Sequence, residues 1–217
     1  MNPEPPHRTR EQHAEETHAA ILREAKRLFM QFGYRAVSTR MVAEAARITQ
    51  PALYHHFSGK EDLYVAVLLR ELGEMGTRLG AIADGDASAI ARLEQVAGYL
   101  ANRTHHNLTL MQHDIRTELG DASASLVGAR FFEQVVEPIN RIVKDGIAEG
   151  VIGSPEAVGL APIQMGLYFL HQVSFVTRPP ARTDHARTIE RHLSAVARER
   201  LVVELFLRGV GSTPNRD

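Results

Sequence analysis

Apolar residues recur at spacings of three and four along nearly the whole chain, the period of helices that each bury one stripe. Ile21, Ala25, Leu28, Phe29 and Phe32 mark a first helix that starts at Thr17 or upstream and stops at Gly33. Val42 and Ala46, four apart, mark a short second helix with Thr39 as its N-cap. Arg47-Ile48-Thr49 then makes a turn, and Thr49 caps a third helix whose first turn holds Pro51. Proline costs nothing there, because the N–H it lacks would have no partner in the helix anyway. Leu53 and Phe57 form the buried ridge of this third helix, which turns Gln50 with Tyr54, and Pro51 with His55, toward free faces. Small Ala43, Ala45, Ala46 and Ala52 let the two helices cross closely over the short turn, as a helix-turn-helix requires.

The helical period continues. Ser58 and Glu61 have the spacing of a capping box that opens a fourth helix through Leu63, Ala66, Val67 and Leu72. Gly73, Gly76, Gly80 and Gly85 then thin the pattern, which places a domain boundary near residue 78. Ile90, Leu93, Val96 and Leu100 mark a fifth helix; Leu108, Met111, Ile115 and Leu119 mark a sixth, capped by Asn107. A seventh runs from about Ser123 to Glu149 with a kink at Pro138. Ser154-Pro155 opens an eighth that carries Leu160, Ile163, Leu167 and Leu170, bends at Pro162 and closes at Arg178-Pro179-Pro180. The last spans about Asp184 to Arg208, with Ile189, Leu193 and Val196 in register. No alternating strand pattern interrupts them. The chain is therefore expected to be all-α with about nine helices. Residues 1–16 form a flexible arm and 17–78 a three-helix DNA-binding domain with its linking helix. Residues 79–209 form a second helical bundle, and 210–217 a tail.

Composition narrows the class. Of 217 residues 44% are hydrophobic, enough for a real core, and the absence of cysteine excludes both a disulfide framework and a thiolate metal site. The polar, proline-bearing segment Met1 to Glu16 lacks the apolar run of a signal peptide, and no stretch approaches a membrane span. A soluble, cytoplasmic protein is expected. Net charge is only −1, yet it is unevenly spread: nine basic and six acidic residues lie at or before Lys60, against sixteen and twenty beyond it. A basic head on an acidic body suits a nucleic-acid partner.

The segment from His18 to Leu72, with Phe32-Gly33, Thr39-Arg40, Leu53-Tyr54-His55-His56-Phe57 and Lys60-Glu61, resembles the DNA-binding domain of the TetR family of all-helical, usually dimeric transcriptional regulators. The resemblance implies that Gln50 and Ala52 face base edges in the major groove. Glutamine can bond adenine bidentately and an alanine methyl can meet a thymine methyl. It further implies that Tyr54 packs on the DNA backbone or a thymine, that Thr39, His56 and Lys60 take phosphates, and that His55 and Arg40 serve base, groove or phosphate. Thr49 and Pro51 complete the set at the helix start. The chain departs from the family at Arg47, where glycine is common. A left-handed backbone there costs arginine about 1 kcal/mol, offset where the guanidinium gains a phosphate or an acidic partner.

The second domain is less specific. Tyr99, Met111, Phe131, Phe132, Val135, Met165, Tyr168, Phe169 and Gln172 are candidates to line a cavity for a small apolar or aromatic effector, and are equally the material of a plain bundle core. The eleven histidines do not suggest a metal: His105 with His106, and His113 with Asp114, are adjacent and diverge by about 100° on a helix. Ser174 with His171 lacks a strained nucleophile turn, a third group and an oxyanion hole, so no enzyme and no cofactor are expected. The apolar rows Leu160 to Leu170 and Ile189 to Leu205 exceed the needs of one small bundle, which suggests pairing of the last two helices in a homodimer. The reading is thus a ligand-responsive repressor of a double-stranded operator. The alternative is a helical small-molecule or partner-binding protein without sequence-specific DNA binding.

Overall fold

The computed structural model describes residues 10–103, 114–176 and 195–211, and helices account for nearly all of them. In order they are α1 (Arg10–Ala36), α2 (Thr39–Ala45), α3 (Gln50–Tyr54), α4 (Lys60–Ala83), α5 (Ala89–Arg103), α6 (114–118), α7 (Asp121–Phe131), α8 (Glu137–Ala148), α9 (Pro155–Val158), α10 (Pro162–Val176) and α11 (Ala195–Val210). The one β-type pairing among them is an isolated bridge between Ile152 and Gly211. None of these helices is long and apolar enough to cross a membrane. Met111, Asn107, Ile189 and Leu193 lie outside the described residues.

Two units are separable. The first comprises Met1–Glu71 with Thr109–Val127, the second Leu72–Leu108 with Gly128–Asp217. In the first, Ile21, Ala25, Leu28 and Phe29 of α1 are buried with Val42 and Ala43 of α2, Leu53 of α3, Phe57, and Leu63, Val67 and Leu68 of α4. Phe32 departs from its expected place and is 49% exposed. It sits in the last regular turn before Gly33, whose φ of 78° interrupts the helix there. Three aromatic rings close this end of the unit: Phe29 meets Tyr64 edge-on at 4.7 Å, and Tyr34 lies 5.0 Å from Tyr64.

Buried Asp114 ties this cluster together. One carboxylate oxygen accepts the backbone N–H of Tyr34 at 3.1 Å and the hydroxyl of Tyr64 at 3.2 Å. Burial, and then the adjacent carboxylate, push the Tyr64 phenol well above its ordinary range, so it stays a neutral donor. Nearby, Glu61 accepts the N–H of Gly120, and a hydrogen bond from Ser123 followed by that N–H holds its carboxyl below the usual range. Glu61 therefore does not complete the capping box expected with Ser58. Asp62 ties Ser58 instead, accepting both its N–H (2.9 Å) and its hydroxyl (3.1 Å), while Gly59 offers its carbonyl to the N–H of Leu63 and takes the cap position. The helix begins at Lys60 rather than Gly59, which moves the reciprocal position one residue on.

The second unit corrects several helix limits. α4 continues through Gly73, Gly76 and Gly80 to Ala83, because a glycine inside a helix costs only about 1 kcal/mol against alanine and packing of Met75, Leu79 and Ile82 outweighs it. The expected seventh helix is two, joined by a π-turn at Phe132–Val136 in which the N–H of Glu137 reaches five residues back to Phe132 O. That wide turn gives Pro138, in the first turn of α8, the room its ring needs beside the preceding carbonyls. The expected eighth helix also divides: α9 stops at left-handed Gly159 (φ 74°), and Pro162 begins α10 rather than bending it. Arg92 accounts for the end of α4, donating to Ala83 O (2.7 Å) and to Asp145 (2.8 Å).

Replacing Asp114 by alanine leaves two buried donors without an acceptor and is expected to cost about 2–4 kcal/mol in denaturant unfolding. Asparagine, whose carbonyl oxygen can accept the same two bonds, should cost less than half of that. Equal losses for both variants would assign the effect to charge instead. At the start of α4, Asp62→Ala should cost about 1 kcal/mol and Glu61→Ala less, the reverse of the order the Ser58 to Glu61 spacing predicts.

Candidate nucleic-acid interface

α2 is capped by Ser38 rather than Thr39: the Ser38 hydroxyl accepts the N–H of Met41 at 3.2 Å. The shift of one residue frees the Thr39 side chain for another task. After Ala45 the chain turns tightly, with Arg47 N–H bonded to Glu44 O and Ile48 N–H bonded to Ala43 O. Arg47 adopts φ 58°, and it is the one non-glycine residue with positive φ among those described. Thr49 then caps α3 by accepting the N–H of Ala52 at 3.3 Å, with Pro51 in the first turn. Leu53 (0% exposed) and Phe57 (4%) anchor α3 to the core, so the opposite side must face outward. Pro51, Tyr54 and His55 are exposed there, with Gln50 and Ala52 partly so.

Thr39 organises that surface. Its buried hydroxyl lies 3.2 Å from the Tyr54 hydroxyl and accepts a hydrogen bond from Gln50 Nε2 at 3.2 Å. Three residues expected from sequence to touch DNA separately are thus one hydrogen-bonded group. Thr39 positions the other two and is itself largely enclosed. Arg40 extends into solvent but donates to Glu44 at 2.9 Å, and that hydrogen bond, then the charge, raises the guanidinium above its ordinary range.

Two further candidates are set back from this face. His56 is half-buried beside His18, 5.9 Å between rings, while Phe57 stacks on His18 at 5.0 Å. Lys60 lies with its ammonium 4.2 Å above the Tyr34 ring and donates to Arg35 O at 3.4 Å. Partial burial pushes its pKa down, opposed by the charges of Glu118 and Asp114. Neither Ser38 nor the Asp114 tie was legible beforehand. Ser38 and Thr39 are adjacent hydroxyls with equal claims to the cap, and Asp114 reaches Tyr34 across 80 residues.

The effector candidates fall into two groups. Val135, Met165 and Phe169 are fully buried, and Tyr99, Phe131 and Gln172 partly buried, all within the second unit. Phe132 (48%) and Tyr168 (40%) are exposed, contrary to a place in an enclosed lining. The extra residue of the π-turn rotates the inward face to Val135 and Val136, and Tyr168 flanks the α10 stripe of Met165, Phe169 and Val173 that points in.

Residues 21–67 match the family model for bacterial regulatory proteins of the tetR family, and they hold α2, the turn, α3 and the start of α4. This segment is a TetR-family DNA-binding domain. The chain is 25% identical over 149 residues to the uncharacterised transcriptional regulator YhgD of Bacillus subtilis, covering 68% of this chain and 78% of YhgD. It is 31% identical over 96 residues to the transcriptional repressor KstR2 of Mycobacterium tuberculosis, 43% of this chain and about half (48%) of KstR2. In fold it is similar to the regulator FadR of Bacillus subtilis, solved with stearoyl-CoA: TM-score 0.66 and 18% identity, over 89% of this chain and 99% of that one. The matched segment is the family's helix-turn-helix DNA-binding domain, and these relatives are transcriptional regulators.

The Thr39 group gives a direct test. Thr39→Val keeps the shape but releases Gln50 and Tyr54, so affinity for a specific duplex should fall about tenfold while thermal unfolding changes by no more than about 1 kcal/mol. Undiminished affinity in a fluorescence titration would show that the group does not preorder the DNA-facing side chains.

Proposed function

We propose that this TetR-family regulator is a homodimeric repressor that leaves a palindromic operator when a small apolar or aromatic molecule enters its second unit. The observation that carries the DNA part is the outward face of α3, where Gln50 and Tyr54 are held by one buried hydroxyl and accompanied by Pro51, Ala52 and His55. On this reading Gln50 and Ala52 meet base edges, and Thr49, Pro51, Tyr54 and His55 meet the groove wall. Arg40, His56 and Lys60 supply phosphate contacts, and Thr39 acts mainly as the tether. The likeness to KstR2, named a repressor, supports the sign of regulation.

Dimerisation is supported by the two sides of α10. Met165, Phe169 and Val173 point into the unit's own core, whereas Ile163, Leu167 and Leu170, spaced by four and three, form a second row that the core covers only in part; Leu167 is 45% exposed. α11 repeats the arrangement, with Val202, Val203, Phe206 and Val210 buried and Leu205 left 36% exposed. A second copy pairing these rows would bury them and supply a second reading head. Two heads are needed, because α3 spans only five residues and reads too few base pairs for adequate affinity. The effector then acts by favouring a spacing of the heads that no longer fits successive major grooves. α4 is the natural carrier, since its first half lies in one unit and its second half in the other.

Footprinting on the DNA that flanks the protein's own coding region, repeated with a panel of apolar and aromatic small molecules, tests the whole reading. A protected palindrome released by one compound is expected. Protection that no compound relieves would remove the effector, and no protection would remove the operator. At finer scale, Gln50→Ala should relax preference at one base pair in each half-site by about 1–3 kcal/mol, measured by competition among single-base operator variants.

A further inference from the structure

The head unit carries seven cations from Arg23 to Lys60, and six of them are already occupied. Arg23 and Arg27 both pair with Glu24, and Lys26 pairs with Glu71. Arg35 pairs with Glu118, Arg40 with Glu44, and Lys60 rests on Tyr34 and the Arg35 carbonyl. The seventh is Arg47, exposed, its guanidinium without a hydrogen-bond or ion-pair partner among the described residues. Glu44, the carboxylate nearest to it in the sequence, is taken by Arg40. Arg47 is also the residue whose backbone is held at φ 58°, a conformation that glycine adopts freely and a long side chain does not. A strained position that holds a free cation, two residues before the cap of α3, is poorly explained by folding. Glycine would serve the turn better. Strain of this kind collects where a side chain has a task outside the fold.

We propose that Arg47 is a DNA-backbone contact, its guanidinium taking a phosphate on the rim of the groove that α3 enters, once in each subunit. The proposal rests on the DNA-binding reading above and adds a residue to it. Arg47 and Gln50 are three positions apart, so their Cα atoms lie within about 10 Å. The major groove is about 12 Å wide, which places a phosphate rim within that reach when Gln50 addresses the base edges. Guanidinium suits the site because it stays charged and can hold two phosphate oxygens at once. The left-handed turn fixes the root of the side chain, and the absence of an internal partner means that no ion pair has to be broken first. Bound to phosphate, Arg47 would add affinity and positional register without sequence preference.

The test uses a duplex selected by the full-length wild-type protein from a randomised pool, and compares wild type with Arg47→Gly, Arg47→Asn and Arg47→Lys at 50 to 200 mM salt. Each phosphate contact contributes about 0.9 to the slope of log affinity against log salt, or about 3.5-fold over this fourfold range. With one contact per subunit, wild type should lose about 12-fold more affinity over the range than the glycine and asparagine variants. Both neutral residues tolerate the left-handed turn, so they should melt no lower than wild type. The lysine variant should keep most of the slope, and base preference should be the same in all four proteins. An unchanged slope in the neutral variants, a weaker complex of unchanged slope, or a lysine variant that behaves like glycine would overturn the contact. Altered base preference would overturn it too, by making Arg47 a reader of sequence. If the wild-type protein selects no duplex at all, the DNA-binding reading and the Arg47 contact fall together; if it does, the slopes decide the contact alone.

Discussion

A five-residue helix has no stability of its own, because the cost of ordering its first turn is recovered only over two or three further turns. α3 spans Gln50 to Tyr54 and exists through what surrounds it. Thr49 takes one of its unpaired donors, Pro51 removes the need for another, and Leu53 with Phe57 exchanges water for a core built by α1, α2 and α4. Full burial of two such side chains contributes about 3–6 kcal/mol. That anchoring fixes the rotation of the helix about its axis, and the rotation determines which residues meet DNA. The apolar pair is therefore as necessary to recognition as the polar face it turns outward.

The same constraint explains the Thr39 group. On so short a helix the side chains at the ends have few neighbours to hold them, and Gln50 and Tyr54 both stand at ends. A hydroxyl supplied by α2, fixed in place by the Ser38 cap, reaches both. α2 thus serves as a support for α3 as well as a packing partner. The tight turn between them demands a left-handed residue, and the chain meets that demand with an arginine at position 47.

What could be read from sequence follows from the range of each interaction. Helix period, the Thr49 cap, the Leu53 and Phe57 ridge and the special backbone at Arg47 are all set within a few residues, and the structure has each of them. The choice of Ser38 over Thr39, and of Asp62 over Glu61, depends on where a helix starts to within one residue, which two adjacent capping side chains leave open. Asp114 was beyond reach because its partners are distant in the chain. Which of the effector candidates face inward was hidden for another reason. A DNA duplex has one fixed geometry and imposes particular side chains at particular places, whereas a bundle interior asks only for apolar volume in the right amount. Phe132 and Phe169 are alike as letters, yet one lies on the surface and the other in the core.

The ion pairs of the head qualify the inference drawn from its positive charge. Most of its cations already have carboxylate partners, so DNA does not meet a field of free charges; it has to displace or share existing pairs. These differ in cost. Arg40 and Glu44 form an exposed i,i+4 pair that solvent screens, which a phosphate can replace readily. Lys60 would give up the face of Tyr34 and a backbone carbonyl from a partly desolvated position, an exchange that is less favourable. Six of the seven cations are thus committed to holding the head together, and the salt dependence of binding should be smaller than their number suggests. Shape, set by the anchored α3, therefore carries more of the recognition than net charge does.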